Sequence, residues 1–171
     1  MTLRYSIALS IPLFSASAMA ADLALKIDVP QLNVAEYHRP YIAAWLENAD
    51  QKVVANLTVL YDVRKKDNGG AKYLKDLRQW WRKSGRDMQM PVDGLSGATR
   101  APGEYTLTFP LAKAALDKLP AGQYQLVIEA AREAGGREQV KVAMQWPPTS
   151  AQSLAAAGKE ELGAVTVMLH P

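Results

Sequence analysis

The sequence predicts a mainly β protein, an antiparallel sandwich with one short amphipathic helix inserted into it, and three observations lead there. Short stretches rich in β-branched, aromatic and apolar residues recur between turn formers. One pair of them flanks a Gly-Gly turn, the signature of a hairpin. A single segment, Lys72 to Lys83, spaces its apolar residues at helical rather than two-residue intervals.

The first twenty residues stand apart from the rest. Arg4 opens a short basic start, an apolar run from Ile7 to Phe14 follows, and Ala18-Met19-Ala20 supplies a small-residue terminus. Residues 1–20 therefore read as a secretory signal peptide, and the run, broken by Pro12, is too short for a permanent membrane span. Residues 21–171 are the length of one domain with a real core, and no later segment looks membrane-spanning.

Within that domain Leu23, Leu25, Ile27 and Val29 alternate along one face of a strand that Pro30 ends. Tyr41 to Glu47 and Val53 to Tyr61 come next, joined by the hairpin connection Asn48-Ala49-Asp50-Gln51. In the second of these Val53, Leu57, Val59 and Tyr61 share one parity, which assigns them to one face. Tyr105 to Phe109 is a further strand. Tyr124 to Arg132 and Arg137 to Trp146 flank Glu133-Ala134-Gly135-Gly136, and Pro147-Pro148 stops the second. Ala164 to Leu169 is the last strand, preceded by an alanine-rich connection, Thr149 to Glu161, with the composition of a short helix. Some seven short strands in this length favour a sandwich resembling immunoglobulin or fibronectin type III domains.

The helical segment carries Tyr73, Leu74, Leu77, Trp80 and Trp81 on one face and Lys72, Lys75, Arg78, Arg82 and Lys83 on the other. Ser84-Gly85 stops it. Its plain reading is a cap over an open end of the sandwich, with the cations solvated. The charged run Arg64-Lys65-Lys66-Asp67-Asn68-Gly69-Gly70 ahead of it reads as a solvated turn able to steer an anionic partner.

Composition excludes several function classes. The leader holds one of the 20 Lys and Arg residues and none of the 17 acidic ones, so the exported chain is only mildly basic, too mild for a nucleic-acid binder. With no cysteine there is no disulfide framework, thiolate metal site or c-type haem attachment. The two histidines are poorly placed for hydrolysis: His170 is penultimate and expected to fray, and His38 sits in a solvent-exposed loop before a strand. A redox role would need a cofactor held another way.

The most specific stretch is Asp93-Gly94-Leu95-Ser96-Gly97-Ala98-Thr99, which reads D-x-x-S-G-A-T. Gly94 allows a turn with positive φ, Ser96 and Asp93 can fold onto nearby amides, and Gly97 and Ala98 leave the approach to the Thr99 hydroxyl free of bulk. The same composition also makes an ordinary Gly/Ser turn. The stretch resembles the acceptor loop on which FAD:protein FMN transferases place flavin, as in FMN-binding subunits of sodium-translocating NADH:quinone reductases. That resemblance implies a covalent FMN on Thr99 through a phosphodiester, with Asp93, Ser96, Gly97 and Ala98 shaping the loop. It also implies walls from the neighbouring helix, Trp80 or Trp81 against the flavin ring and Arg78 or Arg82 near its phosphate. The expected partners are the transferase and a membrane-anchored redox protein. The established acceptor domains have a mixed α/β fold, which this chain matches nowhere outside the seven residues.

Over nearly all of its exported length the chain resembles a family of predicted periplasmic bacterial proteins described as a domain of unknown function. Tyr73-Leu74-Lys75-Asp76-Leu77, Trp80-Trp81-Arg82, the motif with Pro102-Gly103, and Glu129 to Glu133 with Gly135 to Glu138 carry that likeness. Two functions follow as expectations. One is a periplasmic electron carrier with FMN on Thr99; the other is a cofactor-free sandwich that binds another envelope protein or ligand through its loops. Neither is a stand-alone enzyme.

Overall fold

A computed structural model of the chain describes residues 22–110 and 116–171; the signal peptide read at residues 1–20 lies outside the described residues. The strands are β1 (Asp22–Val29), β2 (Tyr41–Glu47), β3 (Val53–Tyr61), β4 (Ser96–Ala98), β5 (Gly103–Pro110), β6 (Gly122–Ala131), β7 (Arg137–Trp146), β8 (Gln152–Ala157) and β9 (Ala164–His170). They form two sheets, in the orders β5-β1-β9-β8 and β4-β3-β2-β6-β7. Pairing is antiparallel throughout except between β3 and β4, which run parallel. The mainly β sandwich is the fold the sequence predicts.

Its core lies between the sheets. Leu23, Leu25, Ile27 and Val29 of β1 meet Ile42, Ala44 and Leu46 of β2 and Leu126 and Ile128 of β6, all buried. The five-stranded sheet is buried on its other face as well, where Ala43, Trp45, Val59, Tyr61 and Val127 form a second cluster. Burial on both faces explains why β2 and β6 read as nearly continuous apolar runs rather than alternating ones.

The expectation that Leu57 shares a face with Val53, Val59 and Tyr61 is corrected. Ala44 pairs with Thr58 and Trp45 with Asn56, so Leu57 is an extra residue opposite none. This bulge resets the alternation. Leu57 and Leu60 enter the core between the sheets, and Val53, Val59 and Tyr61 face the outer cluster.

Residues 62–95 cover that outer cluster. They do not cap an open end of the sandwich, and the single helix expected from Lys72 to Lys83 is two pieces. A 3₁₀ segment, Lys66–Asp76, ends at Leu77 (φ −74°, ψ 70°), and helix α1, Arg78–Lys83, starts beyond it. The break has a partner in the sheet: the buried Glu129 carboxylate on β6 accepts hydrogen bonds from the Gln79 and Trp80 amides, the first turn's orphan donors. The amphipathic assignment survives the break. Leu74, Leu77 and Trp80 are fully buried against the sheet, while Lys72, Lys75, Arg78 and Arg82 stay exposed.

Two further expectations change. The alanine-rich connection is the edge strand β8, paired with β9 from Gln152↔Leu169 to Ala157↔Ala164. Leu154 and Ala156 pack onto the core from it, and that cross-strand pairing overrides alanine's helical preference. His170 does not fray; it ends β9, with Nδ1 2.6 Å from the Asp22 carboxylate of β1.

Polar clamps join the sheets beyond the core. Glu161, between β8 and β9, takes the Arg132 guanidinium through both carboxylate oxygens at 3.0 and 3.1 Å and accepts the Gly136 amide at 2.8 Å. Glu138 of β7 accepts the successive amides of Lys159, Glu160, Glu161 and Leu162. Burial alone would raise its pKa, but those four donors outweigh burial and hold the carboxyl below its ordinary value. A carboxylate with a depressed folded pKa stabilises the fold above the unfolded value of about 4.3 and loses that contribution as pH falls through the folded one. Glu138→Gln is therefore expected to cost about 1–2 kcal/mol at neutral pH. Urea unfolding should show the gap to the unmutated protein closing below about pH 4; a gap independent of pH would contradict the clamp.

Candidate functional site

The seven motif residues form a turn and a strand rather than a free loop. Val92 to Ser96 closes as a turn, the Leu95 and Ser96 amides donating to the Val92 carbonyl at 3.2 and 2.9 Å. Gly94 at its tip has φ +74°, a region that L side chains rarely adopt. The Ser96 hydroxyl accepts the Val92 amide at 2.9 Å, as expected of it, while Asp93 stays exposed at the tip.

Ser96, Gly97 and Ala98 then pair in parallel with Val59, Leu60 and Tyr61 as β4, the edge of the five-stranded sheet. The Val59 amide donates to the Leu95 carbonyl at 2.8 Å, and the Thr99 amide donates to the Tyr61 carbonyl at 3.1 Å. Leu95 plugs the outer apolar cluster. Gly97 has a structural reason that the motif did not disclose: a Cβ there would stand 2.8 Å from Leu60 Cδ2. Its bareness lets β4 sit flat on β3.

Thr99, at the end of that strand, is half-buried and lines an open cleft of about 320 Å³. Tyr37, His38 and Arg39 of the β1–β2 connection, Tyr41 of β2, and Lys65 and Tyr73 of the covering segment form its walls. Asp62, Asp76 and Glu133 add carboxylates at the rim. Lys65 holds its ammonium 4.7 Å from the Tyr73 ring centroid, a cation–π contact that fixes both groups beside the cleft. The Tyr41 hydroxyl donates to the Gly70 carbonyl at 3.2 Å, and its ring meets Tyr61 edge-on at 6.1 Å. Burial raises the pKa of Tyr37 and Tyr41, so both hydroxyls remain protonated near neutral pH. The Tyr37 hydroxyl is enclosed without a hydrogen-bond partner among the described residues.

The residues singled out on the helix are not on these walls. Trp80 is fully buried in the outer cluster, and its indole N–H donates to Asn56 Oδ1 at 2.9 Å. Asn56 lies five positions along β3 from Tyr61, roughly 16 Å at strand rise, so the helix meets the sheet far from Thr99. Trp81 is half-buried beside Trp80, at 6.4 Å between ring centroids. Arg82 is exposed against Gln79, and Arg78 lines an adjoining cleft with Arg132 and Arg137, which shares Asp76 and Ala131 with the Thr99 cleft. Periodicity recognised the apolar face correctly but could not say that Trp80 turns into the cluster it shares with Leu95 and bonds β3 at Asn56, away from the end where Thr99 sits.

The aromatic and cationic residues that do surround Thr99 carried weaker signals. Lys65 belongs to the charged run before the helix, and Tyr37 and Arg39 flank the loop histidine. Only their spatial convergence gives them meaning. Among the described residues there is no group of three or more His, Asp or Glu able to hold a metal ion, and no helix is long and apolar enough to cross a membrane.

A family described as predicted periplasmic protein (DUF2271) matches residues 22–164, and the chain belongs to it. The protein is accordingly periplasmic. No curated protein and no solved structure matches the chain.

The two tryptophans should separate in stability. Trp80→Ala is expected to lower the unfolding free energy by about 3–5 kcal/mol, the cost of emptying a closed aromatic site. Trp81→Ala should cost less than half as much, because its ring is already partly solvated. Chemical denaturation of both variants checks this, and equal losses would contradict the assignment.

Proposed function

We propose that this periplasmic protein is a flavin carrier, with FMN bound covalently through its phosphate to Thr99. The observation that supports the reading best is the position of that threonine: it ends an edge strand and lines an open cleft walled by three tyrosines and the cations Arg39 and Lys65. A threonine in an ordinary Gly/Ser turn needs no such surroundings.

The attachment balances as a phosphoryl transfer. The Thr99 oxygen becomes bonded to the phosphorus of the FMN half of FAD, the P–O bond to AMP breaks, and the hydroxyl proton passes to the transferase. AMP leaves, and this chain supplies only the acceptor. The cleft lies at the small end of the range usual for ligand sites, about 300–1,000 Å³. That size suits one ring system held beside its own tether.

The aromatic and cationic walls suit such an occupant, while the carboxylates of Asp62, Asp76 and Glu133 oppose its phosphate charge. Tyr73, with Lys65 stationed over it, offers an aromatic wall, and Lys65 and Arg39 offer positive charge to a phosphodiester. When bound, FMN supplies one- and two-electron chemistry, and these side chains orient it and set its electrostatic surroundings. Trp80, Trp81, Arg78 and Arg82, the walls first expected, do not line this cleft; in this reading their places are taken by Arg39, Lys65 and Tyr73. The electron partner is a membrane-anchored redox protein that meets the open side of the cleft.

Coexpression with an FAD:protein FMN transferase should add the mass of one FMN, and Thr99→Ala should abolish the gain. An unchanged mass, or a gain that survives Thr99→Ala, leaves a cofactor-free sandwich instead. Tyr73→Leu should retain the added mass but raise flavin fluorescence severalfold, since stacking on tyrosine quenches emission. Loaded protein whose emission ignores Tyr73 would place the ring elsewhere.

A further inference from the structure

The seated motif strand and the cleft beside Thr99 pose a problem of access. A transferase has to align a phosphorus of FAD with the Thr99 oxygen inside its own active site. In the folded protein Thr99 lines a cleft shared with the Tyr37–Arg39 loop and the Lys65–Tyr73 wall, a space sized for a ring system rather than a second protein. Along the backbone the β3 side is taken, because the Thr99 amide is tied to the Tyr61 carbonyl and the Val59 amide to the Leu95 carbonyl, and only the edge side of β4 is unpaired.

The strand is also fastened lightly for something so placed. It is three residues long, pairs with β3 alone, and runs parallel in a fold otherwise antiparallel. On one side it leads from a turn with Gly94 at positive φ, and on the other it passes through Arg100 to Pro102 before β5 begins. Its side-chain anchor is Leu95 in the outer apolar cluster, and its seat is Gly97 against Leu60. Leu95 is not one of the fixed motif positions, so it serves the seat and not recognition.

We infer that segment 93–99 has two working positions, and that the transferase takes it as an extended peptide lifted off β3, after which re-pairing swings the loaded threonine into the cleft. The inference rests on the flavin-carrier reading. It assigns the glycines a double use: Gly94 as the pivot and Gly97 as the residue that lets the strand return flush.

Loading kinetics of the full exported chain with purified transferase and FAD test it, because the protein has no cysteine and two can be introduced cleanly. Leu60→Cys with Gly97→Cys places a thiol pair across the register Leu60↔Gly97, and the first change removes the methyl that excludes a Cβ at the second. The oxidised double variant should load at least tenfold more slowly than the same protein after reduction. Leu95→Ala, which loosens the anchor without touching a fixed motif position, should raise kcat/KM for loading severalfold. Equal rates in the oxidised and reduced forms overturn the inference. Should the reduced double variant itself fail to load, the Leu95→Ala rate decides, and a rate no faster than that of the unmutated protein overturns it. Failure of the unmutated protein to load would instead remove the carrier reading, so the two failures are distinguishable.

Discussion

The constraint on which the rest of the structure depends is the second apolar face of the five-stranded sheet. Trp45, Val59, Tyr61 and Val127 point away from the sandwich core, and leaving them wet would expose a contiguous hydrophobic surface. A two-sheet sandwich normally needs only one buried face per sheet. Here the chain leaves β3, crosses that face as residues 62–95, and returns to the same strand as β4. The detour is long enough to permit the parallel pairing of β4 with β3, which a tight turn could not provide. The position of Thr99 is thus a by-product of covering Trp45 and Tyr61.

The cover is held by carboxylates as much as by apolar contact. Glu129 binds the amides that open α1, and Glu47 at the end of β2 meets Lys83 at the close of α1 while accepting the Trp45 indole N–H at 2.8 Å. The two acids titrate in opposite directions. Burial dominates at Glu129 and raises its pKa despite the two amide donors. At Glu47 burial also pushes upward, but the bonds from Lys83 and Trp45 prevail and lower it. Both groups are nearly inaccessible, so removing a partner would strand a charge away from water.

Most of the strand framework was legible because its signal is local. Leu23 to Val29 alternates, Gly135-Gly136 marks a hairpin, and the apolar face from Leu74 to Trp80 shows helical spacing. The failures share a cause, which is information held in tertiary partners. Leu57 changes face because β2 skips it, Ala155 to Ala157 extend because β9 offers a ladder, and the helix restarts at Arg78 because Glu129 waits beneath it. At the site, the seven-residue motif announced Thr99 but not its neighbours. Arg39 lies far along the chain from Lys65 and Tyr73, and only the fold brings it beside them.

The two rims of the five-stranded sheet are finished differently. Along β7 the outward positions are Arg137, Gln139, Lys141, Ala143 and Gln145, a polar and cationic row that discourages another strand from adding to it. The opposite rim carries only the stub Ser96 to Ala98, and beyond it Val54 stands exposed on β3. In a crowded envelope such lopsidedness guards against chain-to-chain polymerisation from one flank, and it leaves the flank bearing residue 99 with the less protected backbone.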